Sequence, residues 1–303
     1  MHYTLKAYLI HDIGQCRNQE DSFFPPMIKP CHYDGVEREE AFFEGVPHTD
    51  DTLFVLCDGM GGHSRGEVAS RTVCDVMSRS IADAEAKGGE FDGGMIRNAV
   101  DRCFDALDAQ DDPEETLKMG TTMTLLKLHR KGATIAHIGD SRVYHCRFSQ
   151  EKRRPEILFR TEDHSLVNML LKNGTLTFQQ AEHFPQRHML MKAIQAGQKE
   201  RAVPDIHQTA DIMPGDVFCL CSDGMLEGLY DEDLCAMLTN PDYTDEKRVQ
   251  ILLNFCKDNR DNHTAWIVRI ESVMTDDGQP IEYASQSHRH RIGLFNRLIG
   301  RSS

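Results

Sequence analysis

The chain has 303 residues, of which 40% are hydrophobic and 27% are charged, and its formal net charge at pH 7 is −14. This is an ordinary globular composition, sufficient for one large domain or two small ones. The acidic balance argues against a general nucleic-acid binder. The lack of an apolar run of bilayer length argues against a membrane-spanning protein.

The cysteines and the N-terminus predict a cytoplasmic location. The ten cysteines include no Cys-x-x-Cys pair, so a zinc knuckle or a thioredoxin-type site is not expected. Several of them lie inside apolar runs, as small buried residues do, which fits a reducing compartment. The first residues lack the basic start and long apolar centre of a signal peptide.

In the first half of the chain, the sequence predicts two strands and two helices. Residues 4–10 favour a strand, and residues 25–51 favour a long loop or an irregular hairpin. The apolar run at 53–57 is typical of a strand buried on both faces. Apolar residues then recur at helical spacing over 68–81 and 95–107.

The second half begins with three predicted strands, whose connections are too short for crossovers, so the strands are expected to be antiparallel neighbours. They cover 122–128, 133–138 and 143–146, and a further strand begins at 158. Ser165 is a plausible N-cap for a helix over 166–172. Nothing in 174–202 predicts regular sheet, and this segment fits a mobile flap. A second buried strand at 217–221, helices from 231 and over 248–257, and a last strand at 265–270 follow.

Acidic residues recur where strands meet loops. Asp58, Asp223 and Asp261 each lie at such a border, and each alone fits an ordinary turn. Together with Asp140 and the Glu20-Asp21 pair, they suggest carboxylates that converge from strand ends. Oxygen-only ligands select magnesium or manganese, and two such ions can activate a water and neutralise a phosphoryl group.

The chain contains, in order, Arg17…Glu20-Asp21, Asp58-Gly59-Met60-Gly61-Gly62-His63, Gly120-Thr121-Thr122, Gly139-Asp140-Ser141-Arg142, Asp163-His164-Ser165, Ser222-Asp223-Gly224 and Asp261-Asn262. This ordered set resembles the protein phosphatase 2C family in its bacterial form, which comprises metal-dependent serine/threonine phosphatases. The resemblance covers about residues 5–271. It implies an α+β fold: a four-layer α-β-β-α sandwich in which two central antiparallel β-sheets are flanked by helices. The phosphatase domain would span 1–272, with a flap at about 166–200.

The resemblance also implies a site with two, or three, Mn²⁺ or Mg²⁺ ions and a water between two of them that attacks the phosphate. Asp58 would bridge two ions, the Gly59 carbonyl would bind one of them, and Asp223 and Asp261 would complete the first site. Glu20 and Asp21 would lie on or near the second ion, and Asp140 with Asp223 would form a weaker third site. Asp58, Asp223, Asp261 and Arg17 are the implied catalytic residues.

Two departures from the family pattern concern phosphate binding and acid catalysis. Arg17, the candidate phosphate-binding residue, lies three residues before Glu20 rather than four, and Cys16 occupies the usual place. Either the shorter loop still lets Arg17 reach the phosphate, or phosphate binding is weakened. Met60 replaces the histidine of eukaryotic members, and we assign no acid role to the nearby His63.

The expected partners are phosphorylated proteins, the substrates of a bacterial Ser/Thr kinase, and the chain is expected to be a monomer. The alternative is a catalytically weak or silent phosphatase-fold module that binds phosphoproteins. A calcium sensor is disfavoured because EF-hand spacing is missing. The tail at 273–303 is basic from 287 onward, with Ile292, Phe295 and Ile299 on one helical face. It fits either a frayed terminus or an amphipathic helix that docks on a partner or a membrane.

Overall fold

The structure is a computed structural model that describes residues 1–26, 52–60, 65–112, 114 and 116–283. The elements of this part, in chain order, are β1 (His2–Asp12), β2 (Asp21–Phe24), β3 (Thr52–Met60), α1 (Gly66–Ala86), α2 (Gly93–Asp108), β4 (Gly120–Thr121), β5 (Met123–His129), β6 (Gly132–Ile138), β7 (Arg142–Ser149), β8 (Arg154–Arg160), α3 (Leu166–Lys172), α4 (Phe178–Glu182), β9 (Ile194–Gln195), β10 (Asp205–Thr209), β11 (Val217–Cys221), a 3-10 helix (Asp223–Leu226), α5 (Asp231–Thr239), α6 (Asp245–Cys256) and β12 (His263–Met274). His63, the tail from 287 onward and all but the first two residues of the predicted 25–51 loop lie outside the described residues. Of the helices in the described part, none is long and apolar enough to cross a membrane.

The strands form two antiparallel sheets. The first has five strands in the order β1-β12-β11-β7-β8. The second has seven: β10-β6-β5-β3-β4-β9 in order, with β2 also paired to β3. As expected, β5 and β6 are antiparallel neighbours. The expectation is wrong for β7, which lies in the first sheet and pairs with β11 and β8, because the short connection after β6 leads from one sheet to the other. The predicted pair of antiparallel sheets is confirmed.

Strand β3 is buried on both faces because the second sheet lies between two apolar layers. Val55 and Cys57 pack with the apolar faces of α1 and α2. The alternate residues, Phe54 and Leu56, pack instead against Trp266 of the first sheet. Successive side chains of a strand point to opposite faces, so a continuous apolar run is what this position requires.

Strand β11 fills the equivalent place in the first sheet. Phe218 and Leu220 face the other sheet, whereas Cys219 packs with Leu234 of α5 and Leu252 of α6. The order of layers is therefore helices, sheet, sheet, helices. The predicted four-layer sandwich is confirmed.

The expectation that 174–202 contains no sheet is wrong. Ile194 and Gln195 form β9, which pairs with Thr121 and Gly120 of β4, and α4 also falls in this segment. A strand of two residues is too short to show an alternation of apolar and polar side chains in the sequence. It is defined only by its pairing with the backbone of β4. The predicted N-cap for α3 is confirmed, since the Ser165 hydroxyl accepts from the backbone N–H of Asn168 at 3.3 Å.

Candidate metal centre

Two aspartates lie side by side at the end of the second sheet. Asp21, the first residue of β2, pairs in register with Asp58 of β3. By the alternation along β3, Asp58 follows Phe54 and Leu56 on the face that looks toward the other sheet. The two carboxylates therefore belong to the junction between the sheets.

The first sheet supplies two more carboxylates at the same junction. Asp223 comes two residues after the end of β11, and Asp261 comes two residues before the start of β12. Because these strands are antiparallel neighbours, with Cys221 opposite Ala265, the end of one lies beside the start of the other. The predicted convergence of carboxylates from strand ends is thus what the topology produces.

A pocket of about 1030 Å³ opens at this junction. Of the eight predicted site residues, seven line it: Arg17, Glu20, Asp58, Gly59, Asp140, Asp223 and Asp261. The eighth, Asp21, is buried next to Asp58. Glu67, in the first turn of α1, also lines the pocket and was not among the predicted residues.

The carboxylate oxygens of Asp21 indicate that the site suits a cation. Oδ2 accepts a hydrogen bond from the Ser222 hydroxyl at 2.8 Å. Oδ1 is buried and has no hydrogen-bond partner among the described residues. A buried anionic oxygen without a partner is costly, and a cation would relieve that cost. The site therefore fits hard divalent ions, whose ligands are carboxylate and carbonyl oxygens.

The electrostatics of the cluster support the same fit. Burial and the carboxylates of Asp21, Asp223, Asp140 and Asp261 raise the pKa of Asp58 well above its ordinary value. Burial and Asp223 raise the pKa of Asp140 to about 7, and burial raises that of Asp21 to about 7 despite its hydrogen bonds to Thr264 and Ser222. The pKa of Glu20 is raised too, by burial, Glu67 and Asp261. Nearby positive charge would favour the ionised forms of these groups.

Asn262 holds the loop that carries the acidic pair. Its Nδ2 donates to the carbonyls of Ile13 at 2.9 Å and Asn18 at 3.0 Å, and its Oδ1 accepts from the N–H of Glu20 at 2.7 Å. The sequence places Asn262 in a motif with Asp261, but its long-range partners cannot be seen there. Its effect is to fix Glu20 at the pocket.

Arg17 lies at the exposed rim of the pocket. Within the described part of the chain it makes no hydrogen bond or ion pair, unlike Arg142, which donates two bonds of 2.7 Å to Asp163. The shorter loop therefore still brings Arg17 to the pocket. Cys16 stays beside it, and its thiol lies 3.4 Å from Oδ1 of Asp261.

His164 fixes the loop that carries Asp140. The imidazole Nδ1 of His164 accepts from the backbone N–H of Gly139 at 3.1 Å, and the backbone N–H of His164 donates to the Gly139 carbonyl at 2.9 Å. These two bonds join the Asp163-His164-Ser165 motif to Gly139-Asp140-Ser141-Arg142. Two motifs that are separate in the sequence thus act as one support for Asp140.

A second group of possible metal ligands consists of His137, His164 and Asp205, whose donor atoms all lie within 4.8 Å of one another. Lys192 already supplies a positive charge there, because its Nζ lies 2.9 Å from Asp205 and 3.3 Å from Nε2 of His164. The two imidazole rings stack almost parallel at 4.4 Å, so no ion can lie in both ring planes. This group is a satisfied polar network and differs from the predicted carboxylate site.

The segment after α4 forms one wall of the pocket through Leu190 and Met191. His188 also lines it, with Nδ1 3.8 Å from Oδ2 of Asp223. The nearby negative charge of Asp223 raises the pKa of His188 above its ordinary value. The predicted flap therefore borders the carboxylates.

Gly59→Ala is expected to destabilise the chain by about 1–3 kcal/mol, as overpacked sites do. A Cβ at Gly59 would lie 2.6 Å from the carbonyl oxygen of Glu20 and closer still to that of Gly66. Both are backbone atoms, so relieving the overlap would require the backbone itself to move. Urea unfolding measures the effect, with Gly93→Ala as the control, since a Cβ there meets only side-chain ends at 3.3 Å. Equal stability of the two variants would contradict the packing argument.

A family model described as Protein phosphatase 2C matches residues 31–262. The chain is 30% identical over 270 residues to the serine/threonine protein phosphatase PstP of Mycobacterium tuberculosis, covering 88% of this chain and 49% of PstP. It is also 30% identical over 236 residues to the protein phosphatase PhpP of Streptococcus pneumoniae, covering 78% of this chain and 85% of PhpP. The chain thus spans about half the length of PstP and most of PhpP.

Solved structures of PstP have the same fold. One matches with a TM-score of 0.66 at 27% identity, covering 88% of this chain and 99% of that chain. Another, the PstP catalytic domain in complex with two manganese ions, matches with a TM-score of 0.63 at 25% identity, covering 88% and 99%.

Proposed function

The chain belongs to the protein phosphatase 2C family, and from that premise we propose that it is a metal-dependent protein phosphatase that hydrolyses phosphoserine and phosphothreonine. One observation carries the proposal. Six carboxylates line a single pocket, and an arginine without a partner among the described residues lies at its rim. The carboxylates can bind cations and the guanidinium can bind a phosphate. The pocket therefore fits a reaction in which bound metal ions act on a phosphate group.

We propose that Asp58 serves two ions and that the Gly59 carbonyl binds one of them. Asp223 and Asp261 would complete the first site, and Glu20 and Asp21 would lie on or near the second ion. Asp140 and Asp223 would hold a weaker third. Manganese is the first candidate, since the PstP catalytic domain was solved with two manganese ions, and magnesium suits the same oxygens. When bound, such ions lower the pKa of the attacking water and neutralise charge on the phosphoryl group.

The chain's own residues orient the substrate and support these ligands. Arg17 can donate two parallel hydrogen bonds to phosphate oxygens. Asn262 and Ser222 hold Glu20 and Asp21 in place through bonds of 2.7 and 2.8 Å. Thr121 and Thr122 fix the backbone of Asp58, whose carbonyl accepts from the Thr121 hydroxyl at 2.8 Å. Leu190 and Met191 offer apolar surface beside the reacting group.

The direct test is hydrolysis of a phosphothreonine peptide in the presence of manganese, with a chelator as control. We expect turnover in wild type that the chelator abolishes and that falls at least about 10²-fold in Asp223→Asn, since a lost metal ligand removes several kcal/mol of charge stabilisation. Asp83→Asn, an exposed carboxylate on α1, is the matched control. No turnover with any divalent ion, while the ions still bind, would favour the alternative of a silent phosphoprotein-binding module.

Arg17→Ala is expected to raise KM for the same peptide about 10-fold to 100-fold, because a hydrogen-bonded ion pair with the phosphate is lost. Arg17→Lys should recover part of the loss, since it restores the charge without the planar fork. Arg71→Ala, which removes an exposed arginine from α1, should leave KM unchanged. An unchanged KM in Arg17→Ala would show that the altered loop has removed this residue from phosphate binding.

We further propose that the substrates are proteins phosphorylated by a bacterial Ser/Thr kinase, and that the chain acts as a monomer in a reducing cytoplasm. The nine described cysteines are all free thiols, and eight of them are buried. Only Cys16 is exposed among them, which leaves little scope for structural disulfides in that part of the chain. Sedimentation velocity with and without reductant tests the monomer, and a dimer under reducing conditions would contradict it.

A further inference from the structure

A short extended segment of the flap, residues 189–193, leads into β9 along the wall of the pocket, and we call it the limb. Leu190, Met191, Lys192 and Ala193 of the limb line the pocket, as does Gln195 of β9. Strand β9 is the last strand of the second sheet, with β4 as its neighbour on one side. The limb therefore leads from this edge of the sheet along the pocket.

The limb is paired on one side only. Leu190 forms an isolated antiparallel bridge with Ser165. The two hydrogen bonds that enclose the bridge, of 2.8 and 2.7 Å, join Met189 and Met191 to the residues on either side of Ser165. In a pair of this type, each bridged residue directs its own N–H and carbonyl away from the other strand. The backbone groups of Leu190 consequently point to the opposite side of the limb.

This opposite side is an open strand edge. Neither the N–H nor the carbonyl of Leu190 makes a hydrogen bond within the part of the chain that the structure describes. The flanking Met189 and Met191 are 46% and 53% exposed. These three residues include no charge and no proline, the usual devices that keep an exposed edge from pairing with another chain.

The limb is held in place at its C-terminal end. Nζ of Lys192 lies 2.9 Å from Asp205 and 3.3 Å from Nε2 of His164. Ile194, which follows in β9, is completely buried in the core between the sheet and the helices. An edge that is fixed before a partner arrives costs less conformational entropy on binding.

The open edge lies close to the carboxylates. His188, which directly precedes the limb, has its Nδ1 3.8 Å from Oδ2 of Asp223. From His188 to Leu190 is two residues, or about 7 Å along a strand. A peptide whose phosphate lies among the carboxylates can therefore reach Leu190 with the residues next to the phosphorylated one. The flexible methionine side chains beside Leu190 can adapt to different neighbouring side chains.

We infer that Leu190 binds the main chain of an extended phosphopeptide, which adds to the limb as a further strand. Its N–H donates to a carbonyl of the peptide, and its carbonyl accepts from a peptide N–H, the mode of recognition known as strand addition. The inference rests on the proposed phosphatase function, and it defines the substrate class as phosphoserine or phosphothreonine in unfolded segments. A folded segment is excluded because its backbone groups are already paired.

Fluorescence anisotropy in manganese buffer tests the inference on the full chain. The probe is a short peptide that carries the non-hydrolysable phosphonate analogue of phosphothreonine, and a single backbone N-methyl group is moved through the flanking positions. Methylation of the N–H that faces Leu190 should weaken binding about tenfold. Methylation at the two adjacent positions should change it little, because successive N–H groups of a strand point in opposite directions. Hydrolysis of p-nitrophenyl phosphate, which has no peptide backbone, reports the phosphatase function separately.

Hydrogen exchange of the wild-type chain in magnesium buffer locates the contact. The amide of Leu190 should exchange more slowly when the phosphonate peptide is bound, whereas inorganic phosphate, which has no main chain, should leave its exchange unchanged. Lack of peptide binding, equal affinity across the methylated series, a Leu190 amide that stays unprotected in the complex, or equal protection by inorganic phosphate would each overturn the inference. Binding with the expected pattern, in a chain that does not hydrolyse p-nitrophenyl phosphate, would overturn the proposed phosphatase function alone.

Discussion

Asp58→Asn is expected to abolish phosphatase activity while making the metal-free chain more stable. Asp58 faces the carboxylates of Asp21, Asp223, Asp140 and Asp261, which together with burial raise its pKa well above the ordinary value. Ionisation there costs free energy that only a cation offsets. The amide keeps the shape of the side chain, removes this charge and can donate a hydrogen bond to a neighbouring carboxylate.

The activity should fall about 10³-fold or more, because loss of the bridging carboxylate removes several kcal/mol of metal-dependent stabilisation. The stability gain without metal should be on the order of 2 kcal/mol, typical of relieving an uncompensated buried charge. Manganese should then stabilise wild type by about 2.7 kcal/mol at a hundredfold excess over its Kd, and the variant much less. Stability and activity are thus expected to change in opposite directions at this position.

Thermal unfolding with chelator and with manganese measures the stability effect, and peptide hydrolysis measures the activity. Asp83→Asn serves as the control because its exposed carboxylate lies on α1, away from the pocket. A metal-free Asp58→Asn chain that is less stable than wild type would contradict the view that the cluster is strained by its own charge.

The buried strands could be predicted from the sequence because both of their faces are apolar. In β3 and β11 every residue from 54 to 57 and from 217 to 221 is buried, so no alternation needs to be detected. Strand β10 gives no such signal, since Asp205, His207 and Gln208 make it a polar strand at the edge of its sheet. Strand β2 was missed because its four residues begin with the acidic Asp21, which fits a loop equally well.

The carboxylates of the site could be predicted, whereas the groups that position them could not. Asp58, Asp223 and Asp261 stand next to strands, and the ends of antiparallel neighbours must meet. Asn262, by contrast, bonds to residues about 245 positions away, and Ser222 bonds to Asp21 across 201 positions. Such contacts depend on the packing of one sheet on the other, which cannot be inferred from the spacing of residues along the sequence.

The pH dependence of stability offers a test of Asp21 that needs no substrate. Its pKa in the folded, metal-free chain is raised to about 7, against about 3.9 for an unfolded aspartate. Between these values the folded state holds a proton that the unfolded state has lost. The free energy of unfolding should therefore fall by about 1.4 kcal/mol for each pH unit between pH 5 and 7 through this group alone.

Histidines oppose this trend and must be separated from it. Burial lowers the pKa of His11 and of His164 to about 4, so the unfolded chain binds protons there that the folded chain does not, and stability rises with pH up to about 6.5. Asp21→Asn retains both histidines and loses the carboxylate. The difference in unfolding free energy between wild type and this variant consequently removes the histidine contributions and leaves that of Asp21, together with its effect on the pKa of Asp58.

Urea unfolding of the two metal-free chains should show that the free energy of unfolding of Asp21→Asn increases relative to that of wild type from pH 5 to 7. Above pH 7 the difference should not change further. Saturating manganese should reverse the order at pH 7, since the ionised Asp21 then contributes to a bound cation and the amide does not. A difference that stays constant with pH in the metal-free chains would mean that Asp21 is ionised throughout, and that Ser222 and Thr264 already suffice to hold its charge. The metal would then gain little from this carboxylate, and the attraction of the site for a cation would have to rest on Asp58 and Asp140.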